Sequence, residues 1–102
     1  MLLIKPNCEH CNKPLPPDAT EAMICSYECT FCCDCVANLL DNVCPNCGGG
    51  FSRRPIRPRR DWRPGVSLQH QPASTQTVLK PVDRQAHDAF KRAIVTIAPE
   101  DR

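Results

Sequence analysis

Eight of the nine cysteines form four closely spaced pairs within the first 47 residues of this 102-residue chain. The spacing is C-x2-C-x13-C-x3-C-x2-C-x2-C-x8-C-x2-C, and the pairs are Cys8 and Cys11, Cys25 and Cys29, Cys32 and Cys35, and Cys44 and Cys47. Two thiolates separated by a short loop can bind one tetrahedral ion, and two such pairs complete a closed four-sulfur shell. The four pairs therefore predict two structural zinc ions per chain.

The cysteine-rich segment, residues 1–51, has few large apolar side chains. A segment of this size needs disulfides or metal to fold. The first residues, Met-Leu-Leu-Ile-Lys-Pro, lack the basic stretch and apolar run of a secretory signal, so none is expected there. No stretch approaches the length of a membrane span. We therefore expect a cytoplasmic, reducing setting, in which paired cysteines bind metal rather than form disulfides.

Two iron–sulfur patterns overlap the same cysteines. Cys25, Cys29 and Cys32 have the spacing of radical S-adenosylmethionine cluster ligands, but those enzymes need a large barrel that this chain cannot form. Cys29, Cys32, Cys35 and Cys44 are similar to a ferredoxin ligand run. That assignment would leave four of the eight paired cysteines without a role, so zinc is the better prediction.

The remaining candidate residues do not form a catalytic set. Cys33 follows a predicted ligand directly and is expected to be a spare small apolar residue, with a redox role as the alternative. His10 is expected to be an exposed loop residue rather than a ligand. Closed four-thiolate sites leave no position for water, and the sequence has no phosphate-binding loop. We therefore predict no enzymatic activity and no small-molecule substrate.

Charge is distributed unevenly along the chain. Residues 1–50 hold two Lys against six Asp and Glu, whereas residues 51–64 hold six Arg against one Asp. Binding two zinc ions through eight thiolates would lower the formal charge from +2 to about −2. The arginine-rich run would bind nucleic acid in a salt-dependent manner, with a tryptophan to stack on a base, or would lie against the acidic head of its own molecule. The candidate residues are Arg53, Arg54, Arg57, Arg59, Arg60, Trp62 and Arg63.

Three regions are predicted along the chain. Residues 1–51 form the two-zinc module, and residues 52–80, rich in Arg, Pro, Ser, Gln and Thr, form an extended or disordered linker. Apolar residues then recur with helical spacing, which predicts an amphipathic helix over residues 81–98. Its candidate partner-binding residues are Phe90, Ile94 and Ile97. The alternatives are that this helix packs back on the zinc module or pairs with its copy in a dimer.

The first half of the chain resembles the small bacterial family known as domain of unknown function 1272. The motifs that carry the resemblance are Pro6-Asn7-Cys8, Leu15-Pro16-Pro17, Ile24-Cys25-Ser26-Tyr27-Glu28-Cys29-Thr30-Phe31-Cys32 and Cys44-Pro45-Asn46-Cys47-Gly48-Gly49. That family has no established activity. The resemblance implies zinc binding and nothing more specific.

The order of the eight ligands is similar to that of a RING finger with all-cysteine ligands. This resemblance implies a small metal-stabilised cross-brace with little regular secondary structure. One zinc would be bound by Cys8, Cys11, Cys32 and Cys35, and the other by Cys25, Cys29, Cys44 and Cys47. A zinc ribbon that uses the first and last pairs is the alternative pairing. RING ligases use an apolar residue in the first loop and a basic residue after the last ligand. This chain has Glu9-His10 and Gly48 at those positions, so the resemblance does not imply ligase activity.

Three functions follow from these observations. The first is a non-enzymatic, zinc-binding module that interacts with another protein through the zinc module or the C-terminal helix. The alternative is a zinc finger that binds nucleic acid through residues 53–63. A second alternative is a zinc or redox sensor, because exposed thiolates can be oxidised and release their metal.

Overall fold

The computed structural model describes residues 1–102, and its regular elements are few and short. Three antiparallel strands, β1 (Ala22–Ile24), β2 (Thr30–Cys32) and β3 (Ser52–Arg53), form one sheet in the order β2-β1-β3. In this register Met23 of β1 is paired with Phe31 on one side and with Arg53 on the other. The sheet thereby joins the middle cysteines to the segment that follows the last pair. The prediction of little regular secondary structure is confirmed.

A short helix follows β2 directly. It begins as an α-helical turn, α1 (Cys33–Cys35), and continues as a π-helical turn over Val36–Leu40. The next two residues, Asp41 and Asn42, have left-handed φ values of 49° and 58°, which end the helix. The π-helical turn buries the side chains of Val36, Leu39 and Leu40.

The hydrophobic core lies between the sheet and this helix, and five cysteines belong to it. The other members of the buried cluster are Leu15, Ala22, Phe31, Val36, Leu39 and Leu40. Phe51 packs edge-on against Phe31, with ring centroids 5.6 Å apart and an interplanar angle of 85°. Because so much of the core is thiol, its stability depends on what those sulfurs bind.

Residues 54–82, called here the returning segment, contain no helix or strand. They run back along the N-terminal residues and are hydrogen-bonded to them at intervals. The Ser74 amide donates to the Ile4 carbonyl at 2.9 Å, and the Lys80 amide donates to the Glu9 carbonyl at 2.8 Å. Asn7 is buried and exchanges two side-chain hydrogen bonds with the backbone of Val78. The segment predicted to be an extended or disordered linker is therefore in contact with the head, residues 1–51, and it includes bends and turns between residues 59 and 71.

The C-terminal residues 83–102, called here the tail, contain helix α2 (Arg84–Lys91) and a 3-10 turn (Pro99–Asp101). Asp83 caps α2, because its side chain accepts a hydrogen bond from the Ala86 amide at 2.9 Å. This helix is shorter than the predicted span of 81–98. The residues after it form successive turns, and four of them, Ile94 to Ile97, are β-branched, which disfavours a continuous helix.

The tail packs on the head rather than standing free. The His87 side chain is buried, and its Nε2 lies 3.1 Å from the Leu40 carbonyl oxygen. Lys91 forms an ion pair with Asp41 at 2.6 Å. No helix in the structure combines the length and apolar character needed to cross a membrane.

Candidate metal centre

The first and third cysteine pairs meet in one cluster. The sulfur atoms of Cys8, Cys11, Cys32 and Cys35 all lie within 4.8 Å of one another. The first pair comes from the loop at residues 8–13, Cys32 ends β2, and Cys35 ends α1. The strand-to-helix junction therefore delivers the third pair to the loop that carries the first.

The distances within this cluster match a tetrahedral zinc site. The Sγ atoms of Cys8 and Cys35 are 3.8 Å apart, and so are those of Cys11 and Cys32. A zinc–sulfur bond of about 2.3 Å gives a tetrahedron whose edge is about 3.8 Å. A disulfide would need about 2.05 Å, and all nine cysteines are free. The donor set and its spacing thus fit zinc and exclude a disulfide between these residues in this structure.

The second and fourth pairs meet in another cluster, which is less regular. The sulfur atoms of Cys25, Cys44 and Cys47 lie within 4.8 Å of one another. Cys29 does not belong to that mutual set, although its thiol interacts with those of Cys25 and Cys44. Three of the four predicted ligands are therefore gathered, and the fourth lies beside them.

Backbone amides point at the cysteine sulfurs, as they do around structural metal sites. The Tyr27 amide donates to Cys25 Sγ at 3.3 Å, and the Asn46 amide donates to Cys44 Sγ at 3.4 Å. The Gly49 amide donates to Cys47 Sγ at 3.4 Å. These bonds join each sulfur to the residue two positions later, and they would offset negative charge on a thiolate.

The first and last cysteine pairs are held in the same loop conformation. In the loop of residues 8–13, the amide of Cys8 donates to the Lys13 carbonyl at 2.9 Å, and in the loop of residues 44–49 the amide of Cys44 donates to the Gly49 carbonyl at 2.8 Å. The residue after each second cysteine is left-handed, with φ of 64° at Asn12 and 77° at Gly48. The two loops are a local structural repeat, each directing both thiols to one side.

Without metal, burial favours the protonated form of four of these thiols. Burial raises the pKa of the thiols of Cys29, Cys32, Cys35 and Cys44. Partial burial also acts to raise the pKa of Cys11, but hydrogen bonds from the Lys13 amide and from neighbouring thiols outweigh it and lower that pKa. Because a metal binds thiolates, an ion that entered either cluster would displace these protons.

Two further predictions concern Cys33 and His10, which lie next to predicted metal ligands in the sequence. Cys33 is exposed and belongs to neither cluster. His10 is partly buried, and its Nδ1 accepts a hydrogen bond from the Val82 amide at 2.9 Å. His10 therefore helps to hold the returning segment against the head.

The arginine-rich run is divided by the structure into internal and exposed residues. Arg54 is 4% exposed, and its guanidinium donates to the carbonyl oxygens of Lys5, Leu15 and Pro16. Arg57 donates to the carbonyls of Leu2 and Gln71, and Arg53 donates to that of Thr20. Arg53 remains exposed despite this bond, and Arg59, Arg60, Trp62 and Arg63 are also exposed.

The predicted partner-binding residues lie at the surface of the docked tail. Phe90 is 44% exposed and Ile97 is 40% exposed, whereas Ile94 is partly buried near Gly48. The sequence did not single out His87, the residue that α2 buries most deeply. The only signal was its position, because Asp83, His87 and Lys91 share one helical face at intervals of four residues.

The cysteine-rich part of the chain matches a known protein family. A family described as "Protein of unknown function (DUF1272)" matches residues 1–57. This chain belongs to that family. A relative in Rhizobium meliloti (strain 1021), described as uncharacterized protein R02474, is 52% identical over 81 residues, which covers 79% of this chain and 89% of that protein. No solved structure matches the chain. The alignment with the relative is longer than the family match, so the similarity of this DUF1272 member extends beyond the cysteine head.

Proposed function

We propose that this DUF1272 protein binds two zinc ions in an interleaved, RING-like cross-brace and acts as a small cytoplasmic protein-interaction module. The observation that carries the metal is the first cluster, with its two sulfur–sulfur distances of 3.8 Å. The interleaving is supported by the way the pairs meet, first with third and second with fourth. Four thiolates close the shell of a zinc ion, so the proposed role is structural and not enzymatic.

Zinc content would test the metal part of the proposal. Native mass spectrometry with elemental analysis should give two zinc ions per chain for protein purified without refolding. Cys11→Ser should remove one ion, because Cys11 contributes to the first cluster, and Cys29→Ser should remove the other if Cys29 completes the second. The matched control is Cys33→Ser, which should keep both ions. Iron in place of zinc, or one ion lost on Cys33→Ser, would contradict the proposal.

The interaction role is supported by apolar side chains that the tail leaves at the surface. Phe90, Val95 and Ile97 are each at least 40% exposed while the tail is docked on the head. Exposed large apolar side chains at three positions within eight residues of the tail offer a docking surface to another polypeptide. The protein partner would contact this face of the tail.

Photocrosslinking in cells would test the interaction role. A photoreactive residue at position 97 should give discrete crosslinked species, and the same residue at position 21, which lies on the head, should not. The variants Phe90→Ala and Ile94→Asp should abolish those species while zinc content stays at two per chain. Identical crosslinking patterns from positions 97 and 21 would contradict a specific partner.

The two alternatives have less support from the geometry. Nucleic-acid binding through residues 53–63 would have to use Arg59, Arg60, Arg63 and Trp62, because Arg53, Arg54 and Arg57 already bind backbone carbonyls. Such binding should weaken steeply with salt and disappear in an Arg59→Ala, Arg60→Ala, Arg63→Ala triple variant. A redox sensor should lose zinc under mild peroxide, and Cys33→Ser should slow that loss.

A further inference from the structure

The two loops that carry the first and last cysteine pairs are held by different parts of the chain. The returning segment lies against the loop of residues 8–13, where the Lys80 amide donates to the Glu9 carbonyl at 2.8 Å. In the same loop, His10 Nδ1 accepts a hydrogen bond from the Val82 amide at 2.9 Å. The tail lies instead against the loop of residues 44–49. The two loops therefore share a backbone conformation but not the segment that holds it in place.

One arginine of the tail joins both sides of the loop of residues 44–49. Arg102 Nη1 donates to the Asn42 carbonyl at 2.8 Å, just before this loop, and to the Gly48 carbonyl at 3.2 Å, near its far end. Its Nε donates to the Ile97 carbonyl at 3.0 Å, which fixes the guanidinium to the tail itself. Hydrogen bonds from a charged donor are stronger than those between neutral groups. Arg102 therefore opposes any movement that separates the two sides of the loop.

Apolar side chains of the tail pack over the same loop. Gly48 is buried, and a Cβ atom at this glycine would lie 3.6 Å from Ile94 Cδ1 and 3.8 Å from Phe90 Cζ. These are van der Waals distances, so both side chains cover the backbone of the loop. Pro99 approaches Gly50, with its Cγ 3.1 Å from the position that a Cβ would occupy there. The tail thus holds the loop through both polar and apolar contacts.

The second cluster depends on this loop for most of its geometry. Cys44 and Cys47 supply two of its sulfur atoms, and the Asn46 side chain between them donates to Cys29 Sγ at 3.4 Å. A displacement of the loop would therefore move two sulfurs and the group that faces a third. In the first cluster all four sulfurs lie within 4.8 Å of one another, whereas Cys29 lies outside the corresponding set of the second. The second cluster is thus the one whose metal should respond to the tail.

We propose that the docked tail is a clamp on the metal site of the second cluster. Arg102 and Ile94 are positioning residues that hold the loop of residues 44–49 and so slow the loss of metal from this site, without affecting the first. This regulation rests on the two-zinc binding proposed above. Since coupling between two binding events is reciprocal, metal at the second site should in turn hold the tail closed. A protein that draws the tail off the loop would therefore speed metal exchange at one site of the two.

Exchange of bound zinc for an enriched zinc isotope would test the clamp, because the full chain stays metal-saturated throughout. Native mass spectrometry after mixing zinc-loaded protein with excess isotope should show two phases, one for each ion. Arg102→Met should speed the faster phase about tenfold, since it removes two charge-assisted hydrogen bonds from the loop. Ile94→Ala should speed it about threefold through lost apolar contact, which preserves the test if Arg102→Met does not fold. The slower phase should be unchanged in both variants.

Arg92→Met is the matched control for Arg102→Met. It removes the same charge and the same kind of side chain from the tail, but the Arg92 side chain is exposed and forms no hydrogen bond or ion pair. Both exchange phases should therefore keep their wild-type rates in this variant.

Amide hydrogen exchange in zinc-saturated protein would assign the faster phase to its site. The Lys13 amide donates to the Cys11 sulfur, and the Gly49 amide donates to the Cys47 sulfur, at equivalent positions of the two loops. Arg102→Met should speed exchange of the Gly49 amide about tenfold, because the loop opens more often, and should leave that of Lys13 unchanged.

Two results would overturn the clamp. Equal acceleration of both isotope phases would show that the tail stabilises the whole head, and no acceleration would show that it holds neither site. Zinc content of the same samples separates these failures from failure of the metal proposal. If the wild-type chain holds fewer than two zinc ions, the metal proposal fails, and the comparison of Gly49 with Lys13 still decides whether the tail holds the loop.

Discussion

The head and the returning segment are both poor in regular secondary structure, but different interactions hold them. In the head, two cysteine clusters lie at the centre of the core. In the returning segment, backbone and arginine hydrogen bonds attach the chain to the surface of the head. The head should therefore unfold as one unit when its metal is removed. Each contact of the returning segment should instead contribute a small and separate amount of stability. The five predictions below test that difference.

Metal removal should have the largest effect. Structural zinc contributes about 10–16 kcal/mol of apparent folding free energy in zinc-finger peptides at neutral pH, more than the whole stability of most small domains. A chelator such as EDTA should therefore unfold the head and, because the returning segment and tail pack on it, the rest of the chain. Circular dichroism and amide dispersion in NMR spectra would measure the change. A folded, metal-free head would contradict this prediction.

Zinc affinity should also depend on pH, in a direction set by the thiols. Burial raises the pKa of the thiols of Cys35 and Cys44 in the metal-free fold, so these groups are protonated at neutral pH. Zinc binds only the thiolates, so each binding event releases protons, and zinc affinity must fall as pH falls. Calorimetry in buffers of different ionisation enthalpy would count the protons released. A count near zero would show that the thiolates exist before metal binds.

Substituting each of two neighbouring cysteines should distinguish a metal ligand from a cysteine that binds no metal. Cys32 is 2% exposed with its sulfur 3.8 Å from that of Cys11, whereas the adjacent Cys33 is exposed and outside both clusters. Cys32→Ser should lose one zinc and several kcal/mol of stability, on the order of half the metal contribution. Cys33→Ser should retain both ions and unfold within about 0.5 kcal/mol of the wild type in denaturant. Equal losses in the two variants would contradict the assignment of ligands.

Part of this site was predictable because spacing encodes chemistry. Four pairs of cysteines two or three residues apart predict two clusters, and the structure gathers seven of those eight sulfurs into two sets. Which pairs meet could not be derived from spacing, since it depends on β2 bringing Cys32 and Cys35 beside the first loop. The interleaved order was expected only from the resemblance to RING fingers. The position of Cys29 beside its set, rather than within it, had no sequence signal.

The second half of the chain was less predictable, for physical reasons. The arginine-rich run was expected to bind nucleic acid or to lie against the acidic head, yet Arg54 is buried because it follows the short strand β3 and turns under the head. The amphipathic period over residues 81–98 counted apolar residues without regard to their β-branching, so the helix was expected to be longer than α2. His87 is polar and therefore contributed nothing to that period, although it anchors α2 to Leu40.

Outside the metal sites of the head, substitution of Arg54 should cause the largest loss of stability. Its guanidinium satisfies carbonyl oxygens of Lys5, Leu15 and Pro16, and burial lowers its pKa from a value so high that the group stays charged. Arg54→Ala would leave the carbonyls of Lys5 and Leu15 without a donor, whereas that of Pro16 keeps the Ala19 amide, and the loss should cost about 2–3 kcal/mol. The exposed Arg59, whose ion pair with Asp18 spans 3.9 Å, provides the control. Arg59→Ala should change stability by less than about 0.5 kcal/mol in zinc-saturated denaturant titrations.

The smallest effect is expected where an exposed ion pair fixes the tail to the head. Lys91 lies 2.6 Å from Asp41 and 3.1 Å from Asp88, and these hydrogen bonds, with that of Asp41 foremost, raise the pKa of its ammonium. Because this pKa is raised, the ion pair gives its full stabilisation at pH values below the ordinary lysine pKa. That stabilisation is lost as the pH rises through the pKa of Lys91 in the folded protein. It is therefore fully present at neutral pH, where added salt should weaken it.

Lys91→Met should consequently speed amide exchange in α2 by a few fold at low salt, and by less at high salt. The matched control is Arg92→Met, one position along, because Arg92 is exposed and forms no ion pair. If both variants speed exchange equally, the effect belongs to helix propensity rather than to the contact with Asp41. If only Lys91→Met does so, and zinc content is unchanged, the tail opens independently of the metal-held head.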